Sequence, residues 1–232
     1  MNLKIAILLI FFLSCKWIGD NLIEPKLIIN GIEIEKKWIQ EIEDSTGKKL
    51  EPFTNKIYSV DKAYSTVSNV ETLPDGFQIT RVEKNKAYTI VRENQERFSK
   101  LGLYIYMRHL SFDLTTFKVD KKFQMFYDII IIKATDQFEV VKYEETSGGN
   151  YDISNDRVIE QLKKWNQDSP FTIIVADYNG VEADFYKLPK DLNQFAKDIY
   201  KFCPDTIEQG SGSEEELVKH FLNEKSFWLW WD

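Results

Sequence analysis

Residues 129–132 are four isoleucines in a row, set inside Phe126–Lys133 (FYDIIIIK). Branching at Cβ stiffens χ1 and favours extended backbone over helix. A half-buried strand alternates apolar with polar residues, so an unbroken apolar run suits a strand covered on both faces. Such a strand sits inside a sheet, and the rest of the chain must supply neighbours for both of its edges.

Those neighbours are readable nearby. Residues 77–82 alternate well enough for a strand, and Pro74, Asp75 and Gly76 before them signal a turn. A helix is predicted from residue 85 to 100, ended near Gly102, and residues 103–107 (LYIYM) read as a buried strand. Upstream, residues 32–43 (IEIEKKWIQEIE) carry apolar positions amid charges and read as an amphipathic helix stopped by Gly47. Asp136 is placed to cap a short helix reaching Tyr143, which Ser147, Gly148, Gly149 and Asn150 break.

The last hundred residues are clearer. Ser154 is the expected N-cap of a helix to about Trp165, with Val158, Ile159, Leu162 and Trp165 on one face. Residues 171–176 (FTIIVA) and 181–188 form an antiparallel hairpin through an Asn179-Gly180 turn. Pro189 sits where the first turn of a helix tolerates proline, and Leu192, Phe195, Ala196, Ile199 and Tyr200 supply that helix's apolar face. A Gly/Ser loop over 210–213 precedes a helix opened by a Ser213/Glu216 capping box, and residues 227–231 close the chain as an aromatic strand. This order predicts an α+β fold: a mixed, largely antiparallel sheet with helices packed mainly on one face. The N-terminal half is expected to extend the same sheet.

The first residues read as an export signal: Lys4, an apolar run over 5–13, then Ser14 and Cys15. At roughly 1.5 Å per residue this run is too short to cross a hydrocarbon core of about 30 Å, but it suits the apolar region of a signal peptide. Phe12 and Leu13 are bulkier than usual before a lipidated cysteine, while Ser14 fits. The expectation is a bacterial lipoprotein: signal peptide 1–14, lipid on Cys15, a tether over 15–27, an N-terminal α+β part over 28–135 and a C-terminal domain over 136–232. The chain would then lie at the cell envelope, held to a membrane by its acyl chains.

Charge narrows the partners. The chain carries a net −7 with no basic block, which argues against nucleic acid, where phosphate neutralisation dominates affinity. It also argues against polybasic adhesion to anionic lipid and suits a basic protein partner. If Cys15 carries lipid, Cys203 is a lone thiol, read as a buried and inert cysteine.

Several C-terminal motifs carry a resemblance. Asn150, Tyr151 and Asp152, the Trp165 helix, Ala176 and Asp177, Phe202-Cys203-Pro204-Asp205, Gln209-Gly210 and the closing Leu229-Trp230-Trp231-Asp232 resemble the bacterial domain of unknown function 4253 family. The likeness is good over 136–232 and looser over 80–135. The stretch from Thr146 through Gly149 departs from the spacing usual before the Asn-Tyr pair. The resemblance implies a fold unit and no particular reaction.

For chemistry, the two histidines, His109 and His220, show no metal-ligand spacing and read as surface or packing residues; no metal or cofactor is expected. No GxGxxG, GxxxxGK[ST] or GxSxG occurs. Carboxylates are the better candidates. Glu182 and Asp184 share a strand face, and with Asp177, Asp205 and Asp232 they could form an acidic pocket, the dull alternative being a solvated hairpin. Trp228, Trp230 and Trp231 could line a groove or enter the core. Asn150, Tyr151, Asp177, Glu182, Asp184, Asp205, Trp230 and Asp232 are the candidate ligand or partner residues. The favoured expectation is a non-enzymatic interaction module; the alternative is a hydrolase or small-ligand-binding enzyme built on Asp177, Glu182 and Asp184.

Overall fold

The computed structural model describes residues 26–29, 32–53, 76–109 and 125–232. Cys15 and the signal segment lie outside these residues. Among them no helix is long and apolar enough to cross a membrane.

Phe126–Lys133 is β6, and it is internal as its sequence requires. With β3 (Glu51–Phe53), β4 (Gly76–Glu83), β5 (Leu103–His109), β7 (Phe171–Asp177), β8 (Gly180–Phe185) and β9 (Ser226–Trp230) it forms a seven-stranded sheet ordered β3-β4-β6-β5-β7-β8-β9. Every neighbouring pair is antiparallel except β5 and β7, which run parallel. A separate hairpin of β1 (Lys26–Ile29) and β2 (Ile32–Glu35) precedes the sheet.

The isoleucine run divides between two cores, as the strand period of two demands. Ile130 and Ile132 join a cluster with α3 (Phe138–Tyr143), α4 (Asn155–Asp168), α5 (Leu192–Phe202) and α6 (Glu214–Glu224). Ile129 and Ile131 join a cluster under α2 (Lys84–Ser99) and α1 (Lys36–Thr46). The class is α+β, with four of these six helices on one face and two on the other.

Caps fall where the side chains predict. Ser154 Oγ accepts from Arg157 N, Ser213 Oγ from Glu216 N, and Asp136 Oδ1 from Phe138 N at 2.7 Å. Gly47 ends α1 at φ 68°, a left-handed conformation glycine adopts without a Cβ clash.

Four expectations are corrected. Residues 32–35 are strand β2, because IEIE alternates with period two and pairs with β1; α1 starts only at Lys36. Lys26 and Leu27, placed in the tether, already belong to β1. The hairpin loop is Tyr178-Asn179, and Gly180 opens β8 opposite Asp177; the Asp177 carboxylate accepts from Asn179 N at 3.2 Å and closes the turn itself. Pro189 precedes α5, which Asp191 caps by accepting from Gln194 N.

Candidate functional site

Strands β5 and β7 are the one parallel pair, and their chains leave in opposite directions, β5 to β6 and β7 to β8. In an open sheet, ligands bind outside the carboxyl ends of strands where the order reverses in this way. His109 is the last residue of β5 and Asp177 the last of β7. A register shift between Ile173 and Val175 sends Ile174 and Val175 to the same α2-side core, so Asp177 returns to that face beside His109.

There His109 Nδ1 lies 2.6 Å from Asp177 Oδ2. The carboxylate side chain is 9% exposed and the imidazole 44%. Asp177 is held from behind: Thr146 Oγ1 donates to its carbonyl at 2.6 Å, and Ser147 N donates to Tyr178 O at 2.9 Å. The imidazole rests against the buried Tyr127 ring, centroids 4.7 Å apart.

Glu182 and Asp184 do share this face, but each is engaged by α2. Tyr88 OH donates to Glu182 Oε2. Arg92 grips Asp184 through two bonds of 2.6 and 2.9 Å. Burial raises the Glu182 carboxyl above its usual range, against the opposing Tyr88 hydrogen bond. Burial, then the Glu182 charge, pushes the Tyr127 phenol up to about 12, so it stays protonated at neutral pH. The hairpin acids are therefore partnered side chains rather than a solvated face.

The opposite face of the same strand ends holds a second polar group. Tyr106 OH donates to the buried Glu144, whose carboxyl burial raises. Arg108 reaches Asp128 at 3.6 Å and Glu144 at 3.7 Å, and lies over the Phe53 ring.

Asp205 and Asp232 do not join Asp177. Instead the motif residues fasten β9. Asp205 accepts from Tyr151 OH at 2.6 Å and from Asp232 N at 3.0 Å, and Asn150 Nδ2 donates to Asp232 O. Burial favours the neutral acid of Asp205, but those hydrogen bonds outweigh it and hold the carboxyl below its usual value. The Cys203 thiol donates to Trp230 O at 3.1 Å and Thr206 Oγ1 to Trp228 O at 3.3 Å, so side chains occupy the outer edge of an edge strand. Cys203 is fully buried and its thiol pKa is raised by that burial. A π-helix over Thr206–Ser211 takes in the first two residues of the expected Gly/Ser loop over 210–213, and Gly210 lets the Trp228 indole approach: a Cβ there would meet Nε1 at 3.3 Å. Trp231 enters the core, whereas Trp228 and Trp230 are half-buried. Asp232 is exposed, and Asn150 Nδ2 donates to its backbone oxygen.

His220 is a packing residue, bonded to Ser226 Oγ at 2.9 Å and edge-on to Trp228. His109, read from the sequence in the same way, proved to be half of the ion-pair-like contact at the strand ends. A signal was present: LYIYMRH and FTIIVAD are apolar strands that each end in a titratable residue. Among the described residues no three His, Cys, Asp or Glu converge as metal ligands.

Glu182 makes a pH-dependent contribution. Its folded pKa lies above the unfolded value of about 4.3, so its stabilisation is complete below that pH and is lost as pH rises through the folded value. Glu182→Gln keeps an acceptor for Tyr88 and removes this loss. The variant is expected to gain on wild type between pH 4 and pH 7 in urea midpoints; a stability difference constant across that range contradicts the assignment.

Residues 128–232 match the family model described as Domain of unknown function (DUF4253). The match begins inside β6 and takes in His109's partner Asp177 and the whole β9 fastening. No curated protein and no solved structure matches the chain.

Proposed function

We propose that the protein is a membrane-anchored lipoprotein whose domain acts on a small polar substrate by general-base catalysis, with His109 as the base and Asp177 as its positioning residue. The 2.6 Å contact between His109 Nδ1 and Asp177 Oδ2 at the strand ends carries this reading. An ionised carboxylate only accepts, so Nδ1 carries the hydrogen, and in the neutral ring it is Nε2 that keeps the lone pair. A water or hydroxyl bound at Nε2 gives up its proton to the ring as its oxygen attacks the electrophilic centre of an ester, phosphoester or glycoside, and the ring hands that proton to the leaving oxygen as its bond to the centre breaks. Glu182 and Asp184, engaged by Tyr88 and Arg92, are not reacting groups in this scheme.

The test is a panel of chromogenic esters, phosphoesters and glycosides with wild type, His109→Gln and Asp177→Asn. Turnover lost in both variants at unchanged melting temperature supports the reading; turnover equal to wild type in His109→Gln sinks it.

The anchor is part of the proposal and rests on Ser14, Cys15 and the short apolar run before them. Cys15→Ala is expected to abolish incorporation of a metabolic fatty-acid probe; undiminished labelling rules out that attachment point. The net charge of −7 favours a second reading, a non-enzymatic module for a basic protein. A pull-down from native membranes separates the two: a stoichiometric basic partner retained by His109→Gln favours the module.

A further inference from the structure

Asn179 stands directly before Gly180, in the loop that follows Asp177. An Asn-Gly pair is chemically labile, because glycine has no side chain to shield its backbone nitrogen from the neighbouring carboxamide. That nitrogen attacks the asparagine Cγ and gives up its proton, the Cγ–Nδ2 bond breaks, and ammonia leaves carrying the proton. Water then opens the cyclic imide at either carbonyl, leaving aspartate or isoaspartate. The sum is amide plus water giving acid plus ammonia, with no oxidant or cofactor. In this chain the carboxamide is held. Asn179 Nδ2 donates to Trp231 O at 2.8 Å, Trp231 N donates to Asn179 O at 3.0 Å, and Asn179 N donates to Asp177 Oδ1 at 3.2 Å. Gly180 is paired on both sides, with Asp177 across the turn and with Trp230 of β9.

Ring closure swings the carboxamide toward Gly180 N and pulls Nδ2 off Trp231 O, so it needs the end of β9 to let go first. That end is fastened through Asp232, whose N donates to Asp205 at 3.0 Å and whose O accepts from Asn150. Such ends open locally, without unfolding of the whole chain. We propose that Asn179 is a deamidation site gated by release of the β9 end, and that its conversion disturbs the Asp177–His109 contact. Aspartate at 179 sets a carboxylate oxygen where an N–H faced Trp231 O, acceptor against acceptor. Isoaspartate adds a methylene to the main chain of a two-residue loop and moves Gly180 out of its pairing. Either product brings a negative charge two residues from Asp177, whose Oδ1 takes the Asn179 N–H. The gating does not depend on the general-base reading.

The experiment incubates the full chain in mildly alkaline buffer, folded and in guanidinium chloride, and follows amide-to-acid conversion by mass-spectrometric peptide mapping. The chain's other Asn-Gly, at 30–31, is the reference in denaturant. There both sites are expected to convert at similar rates, and in the folded wild type Asn179 about tenfold or more slower than in denaturant, because held backbone opens seldom. Asp205→Ala and Asn150→Ala unfasten β9, and each is expected to speed conversion of folded Asn179 by about threefold or more. Asn150 is exposed, so that variant serves if Asp205→Ala does not fold. Ile39→Ala empties a buried position in the other core and is expected to leave the rate unchanged. Asn179→Asp copies one product and is expected to lower the urea midpoint and to shift the His109 ring signals in NMR. Folded Asn179 converting as fast as in denaturant, an unchanged rate in both unfastened variants, or equal acceleration by Ile39→Ala overturns the gating. Wild-type His109 signals in Asn179→Asp overturn the link to the pair.

Discussion

Trp231→Ala is expected to cost about 3–5 kcal/mol of stability, the range for emptying a core position of a large aromatic. For a chain of this size that lowers the melting temperature by roughly 6–20 °C, at about 2–4 °C per kcal/mol. The indole is 2% exposed and meets Phe202 edge-on at 5.8 Å. A Cβ on Gly148 would lie 2.8 Å from two of its ring atoms, so the loop backbone already touches the ring. Asn179 holds the same residue on both sides, accepting from Trp231 N at 3.0 Å and donating to Trp231 O at 2.8 Å. With the backbone pinned, the site collapses little and a cavity remains. Trp231→Phe provides the contrast. Trp231 Nε1 is buried without a partner among the described residues, and such an orphan costs about 1–3 kcal/mol. Phenylalanine removes it, so the loss is expected to be much smaller than for alanine. A fall in urea midpoint for Trp231→Ala worth less than about 1 kcal/mol, with the slope unchanged, contradicts this packing account.

His109→Gln is expected to lower turnover of a substrate found by the panel by about 10²–10⁴-fold, the usual contribution of a general base. At 1.36 kcal/mol per tenfold this is about 3–5 kcal/mol of barrier. Asp177→Asn tests the same pair through its other member. Asparagine keeps an oxygen for Asn179 N, so the turn survives, but it no longer has two acceptor oxygens to hold the Nδ1–H form of the ring. The rate then falls in kcat with KM little changed, because the base is misdirected rather than the ligand lost. Arg92→Ala is the control on the same face. Its pair with Asp184 lies partly in solvent, so a loss within about 1 kcal/mol of stability and an unchanged rate are expected.

Much of the framework was legible because its causes are local. Four adjacent isoleucines dictated an internal strand, and serine and aspartate caps marked α3, α4 and α6 by hydrogen bonds spanning two or three residues. Residues 32–35 misled because charged and apolar residues there satisfy both periods, and pairing with β1 decided the matter. The strand-end site was not legible for a different reason. His109 and Asp177 are 68 residues apart and meet only because β7 runs parallel to β5, a non-local pairing that no window of sequence contains. The carboxylates Glu182 and Asp184 were placed on one face by alternation, but the tyrosine and arginine that engage them come from α2, more than 90 residues away. Asn150, Tyr151, Asp205 and Asp232, gathered by resemblance as candidate site residues, assemble instead as the fastening of β9.

The orientation of one imidazole is the premise of the functional reading, and nitrogen NMR of His109 measures it directly. The account predicts, in the neutral ring, a hydrogen on Nδ1 and a bare Nε2, with that preference lost in Asp177→Asn. A ring protonated at Nε2, or averaging freely between both forms in the wild type, would contradict it.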